Sequence, residues 1–152
     1  MKRSIRNILL LVALALLAIA RWADSARDEP AGTPAANPHS SLAGTIWQVE
    51  DISGAGVVDD SHTTLAFGGD HRVAGDSGCN RYFGDYEASG QSLKFGMLAG
   101  TLRACAEALM DQETRFQKAM GQVHSWRVNE HGLLELLDAD GNVLIRAAPS
   151  ME

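Results

Sequence analysis

The chain has 152 residues, of which 45% are hydrophobic, and this length suits one domain with a single core. It carries 13 basic and 19 acidic side chains, which give a net charge of −6. Because an excess of negative charge repels phosphate groups, nucleic acid and peripheral binding to anionic lipid are both disfavoured as partners.

Residues 1–25 have the layout of a secretory signal peptide. Three basic residues within the first six positions precede an apolar run over 8–20, and small residues follow. The run is shorter than the about 20 residues that a membrane span needs, and small-residue cleavage frames end at Ala20 and Ser25. Arg21, directly after the run, also permits an uncleaved signal anchor. We therefore expect a periplasmic or secreted protein, or one anchored in the inner membrane by residues 8–20.

The predicted exported part consists of a tether and one domain. Residues 26–41 are rich in Ala, Pro and Ser, a composition typical of a flexible segment, and the folded domain is predicted over 42–148. Without residues 1–25, nine basic and 18 acidic residues remain, so the net charge becomes −9. The two cysteines, Cys79 and Cys105, lie far from the apolar run, and a lipoprotein is therefore not expected.

The first half of the domain has the alternating pattern of antiparallel strands. Strands are predicted over 42–52, 62–67, 71–75, 82–87 and 93–97. Gly68-Gly69-Asp70 is predicted to supply the positive φ angles of a tight hairpin. Leu93, Phe95 and Met97 are expected to share one face of the last of these strands.

The pattern becomes helical after Cys105. A helix is predicted over about 106–121, with Leu109, Phe116 and Met120 on one face. Three more strands follow over 125–129, 133–137 and 143–147. The predicted fold class is α+β: a curled antiparallel sheet or partly open β-barrel of about seven to eight strands, with one covering helix.

Two spaced motifs stand out in this domain, a Gly-Cys-Asn core and a Thr-x-x-x-Cys element. Their residues, together with those of the first strand and the helix, are Gly44, Thr45, Trp47, Gly75, Gly78, Cys79, Asn80, Tyr82, Gly84, Tyr86, Thr101, Cys105, Glu113 and Phe116. This set resembles the META/HslJ domain family. The resemblance implies an envelope or secreted protein with a curled antiparallel sheet and one helix, linked to heat shock, antibiotic tolerance and virulence, with no established reaction. Many bacterial relatives are lipoproteins, whereas this chain lacks the lipid-bearing cysteine.

Cys79 and Cys105 enclose a loop of 27 residues and are expected to form a disulfide in an oxidising compartment. Such a loop corresponds to a stabilisation of about 3–4 kcal/mol. The alternative is a redox-active or nucleophilic thiol, since Cys105 precedes the predicted helix, although the pair lacks Cys-x-x-Cys spacing.

Three other segments have weaker functional patterns. Residues 76–80 resemble an anion-binding loop but lack its lysine, so we expect a turn in which Asn80 bonds local backbone. Asp138 to Asn142 resembles a calcium loop without the terminal glutamate, and a hairpin turn is expected there instead. The histidines show no metal-ligand spacing, although His62 and His71 are candidates to meet across a hairpin. We therefore expect no metal and no cofactor.

Acidic and aromatic residues leave two further alternatives. Five carboxylates are candidates for a hydrolase pair, although a solvated surface is the simpler interpretation: Asp59, Asp60, Asp76, Asp85 and Glu87. Four apolar residues either line a cavity or fill an ordinary core: Trp47, Phe95, Met97 and Trp126.

The sequence favours a non-catalytic exported binding domain that supports envelope stress tolerance. Its expected partner is an envelope protein or a small apolar ligand inside the sheet. The alternatives are an envelope enzyme, either a thiol oxidoreductase or an acidic-site hydrolase, and an inhibitor domain that presents the loop around Arg81 to a target enzyme.

Overall fold

Ten strands and one helix make up residues 41–150, which are the residues that this computed structural model describes. The predicted signal segment 1–25 and the tether up to residue 40 lie outside them. The strands are β1 (Thr45–Ile52), β2 (Ala55–Gly56), β3 (Thr64–Phe67), β4 (Arg72–Asp76), β5 (Arg81–Ser89), β6 (Ser92–Phe95), β7 (Ala99–Gly100), β8 (Ser125–Val128), β9 (Leu134–Leu137) and β10 (Val143–Pro149). The helix α1 (Glu107–Met120) lies between β7 and β8.

All strand pairings are antiparallel, and their order closes into a ring. The order is β10, β9, β8, β6, β5, β4, β3, β1, and β1 pairs in turn with β10. The short strands β2 and β7 pair with β1 and β5, respectively. The predicted α+β class, with a dominant antiparallel sheet and one helix, is confirmed. The predicted strand number was too low because β2 and β7, of two residues each, are too short to show an alternating pattern.

Alternation along the strands fills the interior of the ring. In β5, Tyr82, Gly84 and Tyr86 are buried, whereas Phe83 and Asp85 between them are exposed. The same period buries the inward residues of the other long strands against one another. The most deeply buried core residues include Trp47, Val49, Ile52, Leu65, Phe67, Leu93, Leu134, Leu136 and Ile145. Trp47 and Trp126 are thus core residues.

Helix α1 packs one face on this core. Phe116 and Met120 are buried as predicted, and the Phe116 ring lies 5.1 Å from that of Tyr82. Leu109 is only half-buried, and the polar Gln112 takes a buried position on the helix instead. None of the helices in the described part of the chain is long and apolar enough for a membrane crossing.

Two local predictions were wrong. In the hairpin between β3 and β4, the positive φ (62°) is at His71 and not at Gly68 or Gly69. The Gly68 amide donates to the Arg72 carbonyl oxygen, so the turn includes His71 and closes one residue later than predicted. Met97 does not continue β6, which ends at Phe95, and its side chain is 94% exposed. The chain leaves β6 there and rejoins the sheet beside β5 as β7.

Candidate functional site

The turn between β4 and β5 is built by Ser77 and Gly78. The Ser77 amide donates to the Asn80 carbonyl oxygen at 2.8 Å, and the Ser77 hydroxyl lies at the same distance from that oxygen. Gly78 has a φ of 100°, and a Cβ atom there would overlap the side-chain amide of Gln112. The position therefore requires glycine for both its backbone angle and its space. The turn places Cys79 and Asn80 beneath the segment that precedes α1.

A disulfide joins Cys79 to Cys105, with an S–S distance of 2.12 Å and a Cα–Cα distance of 5.9 Å. It connects the β4–β5 turn to the residue two positions before α1. No free cysteine remains in residues 41–150. The bond therefore covalently fixes one end of the segment between β6 and α1.

Asn80 holds the same segment through hydrogen bonds. Its Oδ1 accepts from the Thr101 hydroxyl and from the Arg103 amide, both at 2.7 Å. Its Nδ2 donates to Glu113 Oε2 at 2.8 Å and to the Arg103 carbonyl oxygen at 3.4 Å. The prediction that Asn80 bonds local backbone was wrong, because its partners lie 21 to 33 positions away.

The segment held in this way is an exposed loop, residues 97–104, which we call the Leu102 loop. Leu102 is 100% exposed and lies between Thr101 and Arg103, the two residues that Asn80 anchors. The Thr101 amide also donates to the Arg81 carbonyl oxygen at 3.0 Å. A large apolar side chain is thus presented to solvent between two fixed neighbours.

Two glycines allow the Leu102 loop to lie directly on β5. A Cβ atom at Gly84 would come within 2.7 Å of Leu98 Cδ2, and one at Gly100 within 2.8 Å of the Arg81 carbonyl oxygen. Leu98 packs against the core, whereas Met97 beside it points to solvent. The loop is therefore attached to the sheet along its length.

Exposed residues of β5 extend this surface. Phe83 is 52% exposed and pairs with Ala99 of β7, and Arg81 lies next to it along the outer face. The Arg81 Nε atom is 3.8 Å from Asp76 Oδ1, with both side chains largely in solvent. The surface around Leu102 therefore combines apolar side chains with exposed arginines in a chain that is acidic overall.

The remaining motif residues have structural partners. Thr45 Oγ1 accepts a hydrogen bond from Trp47 Nε1 at 2.7 Å, and Gly44 has a φ of 80°. The Tyr82 hydroxyl donates to the Thr64 carbonyl oxygen at 2.7 Å, in the region where a Cβ atom on Gly75 would overlap that oxygen. The first bond lies within β1, and the other contacts hold β3, β4 and β5 close together.

The two tyrosines of β5 are hydrogen-bond donors within the core. The pKa of the Tyr82 hydroxyl is raised far above its usual value, mainly by burial and to a smaller extent by the negative charge of Asp76. The pKa of Tyr86 is also raised, mainly by burial and to a smaller extent by the charge of Asp70. Its hydroxyl donates to the Gly68 carbonyl oxygen at 2.9 Å. Both hydroxyls therefore stay protonated at neutral pH and keep these bonds.

The other predicted candidates lie apart from this site. Asp138 closes a hairpin turn: its carboxylate accepts from the Asn142 side chain at 2.9 Å and from the amides of Asn142 and Asp140, and these bonds lower its pKa. Asp85 lies 3.6 Å from Arg72, and the His71 ring packs on Tyr86. Within residues 41–150, no three His, Cys, Asp or Glu side chains form a group suited to a metal ion.

Two buried polar residues were not identified from the sequence. The Gln112 side chain bonds the Val58 amide and, at 2.9 Å, the Thr63 hydroxyl, so it fixes the chain before β3 to α1. Glu135, with an 8% exposed side chain, accepts from Arg127 at 2.7 Å. Gln112 lies on the buried face of α1, four positions before Phe116, where the apolar pattern predicts a hydrophobic residue. Glu135 lies on the outward side of β9, where the alternation predicts an exposed polar residue, so periodicity alone does not reveal its burial.

Glu135 forms a charged cluster across β8, β9 and β10. Its register partners are Arg127 and Arg146, and Asn129 Nδ2 donates to it at 3.0 Å. Burial alone raises its pKa, but the hydrogen bonds from Asn129 and Arg127 and the two guanidinium charges outweigh burial and lower it. The cluster lines an open hollow of about 620 Å³ on the outer face of these strands.

Comparison with known proteins gives a family and a fold. The family model of the META domain matches residues 40–150. No curated protein matches the chain. The fold is similar to that of a protein from Burkholderia xenovorans solved by NMR, with a TM-score of 0.61 and 22% identity over 73% of this chain and 85% of that one. A second NMR structure gives a TM-score of 0.55 and 22% identity over 68% and 88% of the two chains.

Proposed function

Because the chain belongs to the META domain family, we propose that it is a non-catalytic exported domain that binds a protein of the cell envelope through the Leu102 loop. The signal-like layout of residues 1–25 supports export, and the Cys79–Cys105 disulfide is the chemistry expected of an oxidising compartment. The resemblance to the META/HslJ family associates this role with envelope stress tolerance.

The observation that carries the proposal is the presentation of Leu102. A leucine side chain that is 100% exposed leaves its apolar surface in water, which is unfavourable by about 25 cal/mol per Å² relative to burial. Here the bonds of Asn80 to Thr101 and Arg103 keep the backbone on both sides in place.

Rigid presentation favours protein binding. Binding normally costs about 0.5–1.5 kcal/mol for each side chain that must be immobilised, and loop ordering adds to this cost. Because the disulfide, β7 and Asn80 already fix this loop, most of the free-energy cost of ordering it on binding is avoided. Two further apolar residues are exposed: Met97 in the same loop, and Phe83, which pairs with Ala99 of that loop.

Binding to a protein is favoured over an apolar ligand inside the sheet. The interior is occupied by packed side chains such as Trp47, Phe67 and Ile145, each at most 2% exposed. A ligand there would have to displace several of them, and large-to-small changes in such cores cost about 2–5 kcal/mol each. The surface of the Leu102 loop needs no such displacement.

Photo-cross-linking in living cells tests the proposal. A photoreactive amino acid at position 102 of the full-length chain should give a discrete adduct with an envelope protein after irradiation. The same amino acid at Asp140, an exposed residue of the β9–β10 turn, is the matched control and should give no such adduct. Identical adducts from both positions, or none from position 102, would contradict the proposal.

A further inference from the structure

The Leu102 loop has the features of a protease-resistant substrate mimic. Leu102 is fully exposed, and residues 101–106 form no helix, strand, turn or bend, so the chain continues without a turn through the exposed leucine. Both flanking residues are anchored from below by one side chain, that of Asn80. A protease needs an accessible segment of this kind to enter its cleft.

We propose that the domain is a substrate-like inhibitor of a serine protease with an apolar primary specificity pocket, and that Leu102 enters this pocket. This inference rests on the proposed function, because it names the class of envelope protein that the Leu102 loop binds. An aliphatic side chain fits an apolar pocket and is a poor match for one that carries a carboxylate.

The Asn80 bonds explain why such a complex would persist. Attack by the protease serine on the Leu102 carbonyl carbon forms an acyl-enzyme ester and breaks the bond to the Arg103 nitrogen, which takes the proton as the leaving amine. In an ordinary substrate this amine diffuses away and water hydrolyses the ester. Here the Cys79–Cys105 bond and the Asn80 contact keep Arg103 beside the ester.

The retained amine favours the reverse reaction. Attack by the Arg103 nitrogen on the ester carbonyl re-forms the peptide bond and returns the proton to the serine, without net consumption of water. Holding two reacting groups in place raises their effective concentration by many orders of magnitude over free reactants. The N-terminal side is held as well, because the Thr101 amide bonds the Arg81 carbonyl oxygen.

Inhibition assays with two proteases of opposite specificity test the inference. The oxidised protein, purified from cells that express the full-length chain, should inhibit chymotrypsin and have no effect on trypsin. Leu102→Arg should lose at least about 30-fold in inhibition of chymotrypsin and gain inhibition of trypsin, since an interface hot spot of this kind dominates affinity. Met110→Arg, which changes an exposed apolar residue of α1 outside the Leu102 loop, is the control and should inhibit chymotrypsin as the wild type does and leave trypsin unaffected.

The outcomes separate this inference from the proposed function. Two results would overturn the inhibitor assignment. One is rapid cleavage after Leu102, and the other is that the wild type fails to inhibit chymotrypsin and Leu102→Arg fails to inhibit trypsin. If the photo-cross-link at position 102 then still forms with a protein that is not a protease, the proposed binding function stands without it. Intact protein recovered from an inhibited mixture, with the specificity switched by Leu102→Arg, would establish the assignment.

Discussion

At the scale of single residues, the side chain of Asn80 bonds three residues that are distant in sequence. One amide group contacts Thr101 and Arg103 of the Leu102 loop and Glu113 of α1. The residue itself is 4% exposed, so these bonds are shielded from water. Buried polar groups of this kind stabilise strongly only when every partner is satisfied.

Asn80→Ala should lower the free energy of unfolding by about 2–3 kcal/mol, because it leaves the Arg103 amide without its partner and removes the hydrogen bond to Glu113 Oε2. Urea denaturation of the oxidised protein measures this change. Asn142→Ala, which removes an exposed amide bonded to Asp138, is the control and should cost less than about 1 kcal/mol. Equal losses in the two variants would contradict the role given to Asn80.

Glu135 predicts a pH-dependent contribution to stability. Its pKa is lower in the folded state than in the unfolded chain, so its stabilising effect is complete above the unfolded value of about 4.3 and is lost as the pH falls through the lower folded value. Glu135→Gln should therefore destabilise the protein by about 1–2 kcal/mol at pH 7 and by much less near pH 3.

Thermal or urea denaturation across this pH range measures the effect of Glu135→Gln. Glu130→Gln is the control, since the Glu130 side chain is 87% exposed and should show no pH-dependent difference from the wild type. A Glu135→Gln effect that is the same at pH 3 and pH 7 would show that the charge of Glu135 is not what stabilises the cluster.

At the scale of elements, close packing of backbones sets the positions of β3, β4 and β5. Gly75 in β4 lies so near β3 that a Cβ atom would overlap the Thr64 carbonyl oxygen. The Tyr82 hydroxyl of β5 bonds the same oxygen. The Thr64 carbonyl oxygen of β3 is thus in close contact with β4 and hydrogen-bonded to β5, near the turn that carries Asn80.

Gly75→Ala should destabilise the domain by about 1–3 kcal/mol, because the added methyl group pushes β3 from β4. Gly69→Ala is the matched control: a Cβ atom there has no neighbour within 4 Å and the residue has no positive φ, so its effect should be within about 0.5 kcal/mol of zero. The melting temperatures of the two variants measure the difference. A Gly75→Ala variant as stable as Gly69→Ala would contradict the prediction.

Elements with a clear period were predictable from the sequence, and elements that depend on tertiary contacts were not. Leu65 and Phe67 alternate inward and mark β3, and Phe116 and Met120 mark the buried face of α1. By contrast, β7 consists of Ala99 and Gly100, whose pairing follows from the space at Gly100 and not from any apolar pattern.

The candidate site was predictable in part. The spacing of Cys79 and Cys105, in a chain whose first residues predict export, indicates a bond between the β4–β5 turn and the start of α1. The partners of Asn80 were not predictable, because hydrogen bonds between positions 21 to 33 apart depend on how the loop folds back. The exposure of Leu102 follows from that same folding, which residue type does not encode.

At the scale of the whole molecule, the closed order of strand pairing and the disulfide support each other. Pairing of β1 with β10 joins the beginning of the described chain to its end. The Cys79–Cys105 bond joins the β4–β5 turn to the start of α1. The Leu102 loop lies between these fixed parts, so its conformation depends on the oxidised fold.

Replacement of both cysteines, Cys79→Ala with Cys105→Ala, should lower the free energy of unfolding by about 3 kcal/mol, the value expected for cysteines separated by 26 positions. Denaturant unfolding of this variant and of the reduced wild type should agree, since both lack the cross-link. A double variant as stable as the oxidised wild type would contradict the contribution of the disulfide.

Backbone ¹⁵N relaxation of the native protein measures most directly whether the oxidised fold holds the Leu102 loop rigid. We expect order parameters near 0.85, the value of well-ordered backbone, for the amides of Thr101 and Arg103, and a marked fall when the disulfide is reduced. Order parameters below about 0.6 at these two residues in the oxidised protein would contradict it.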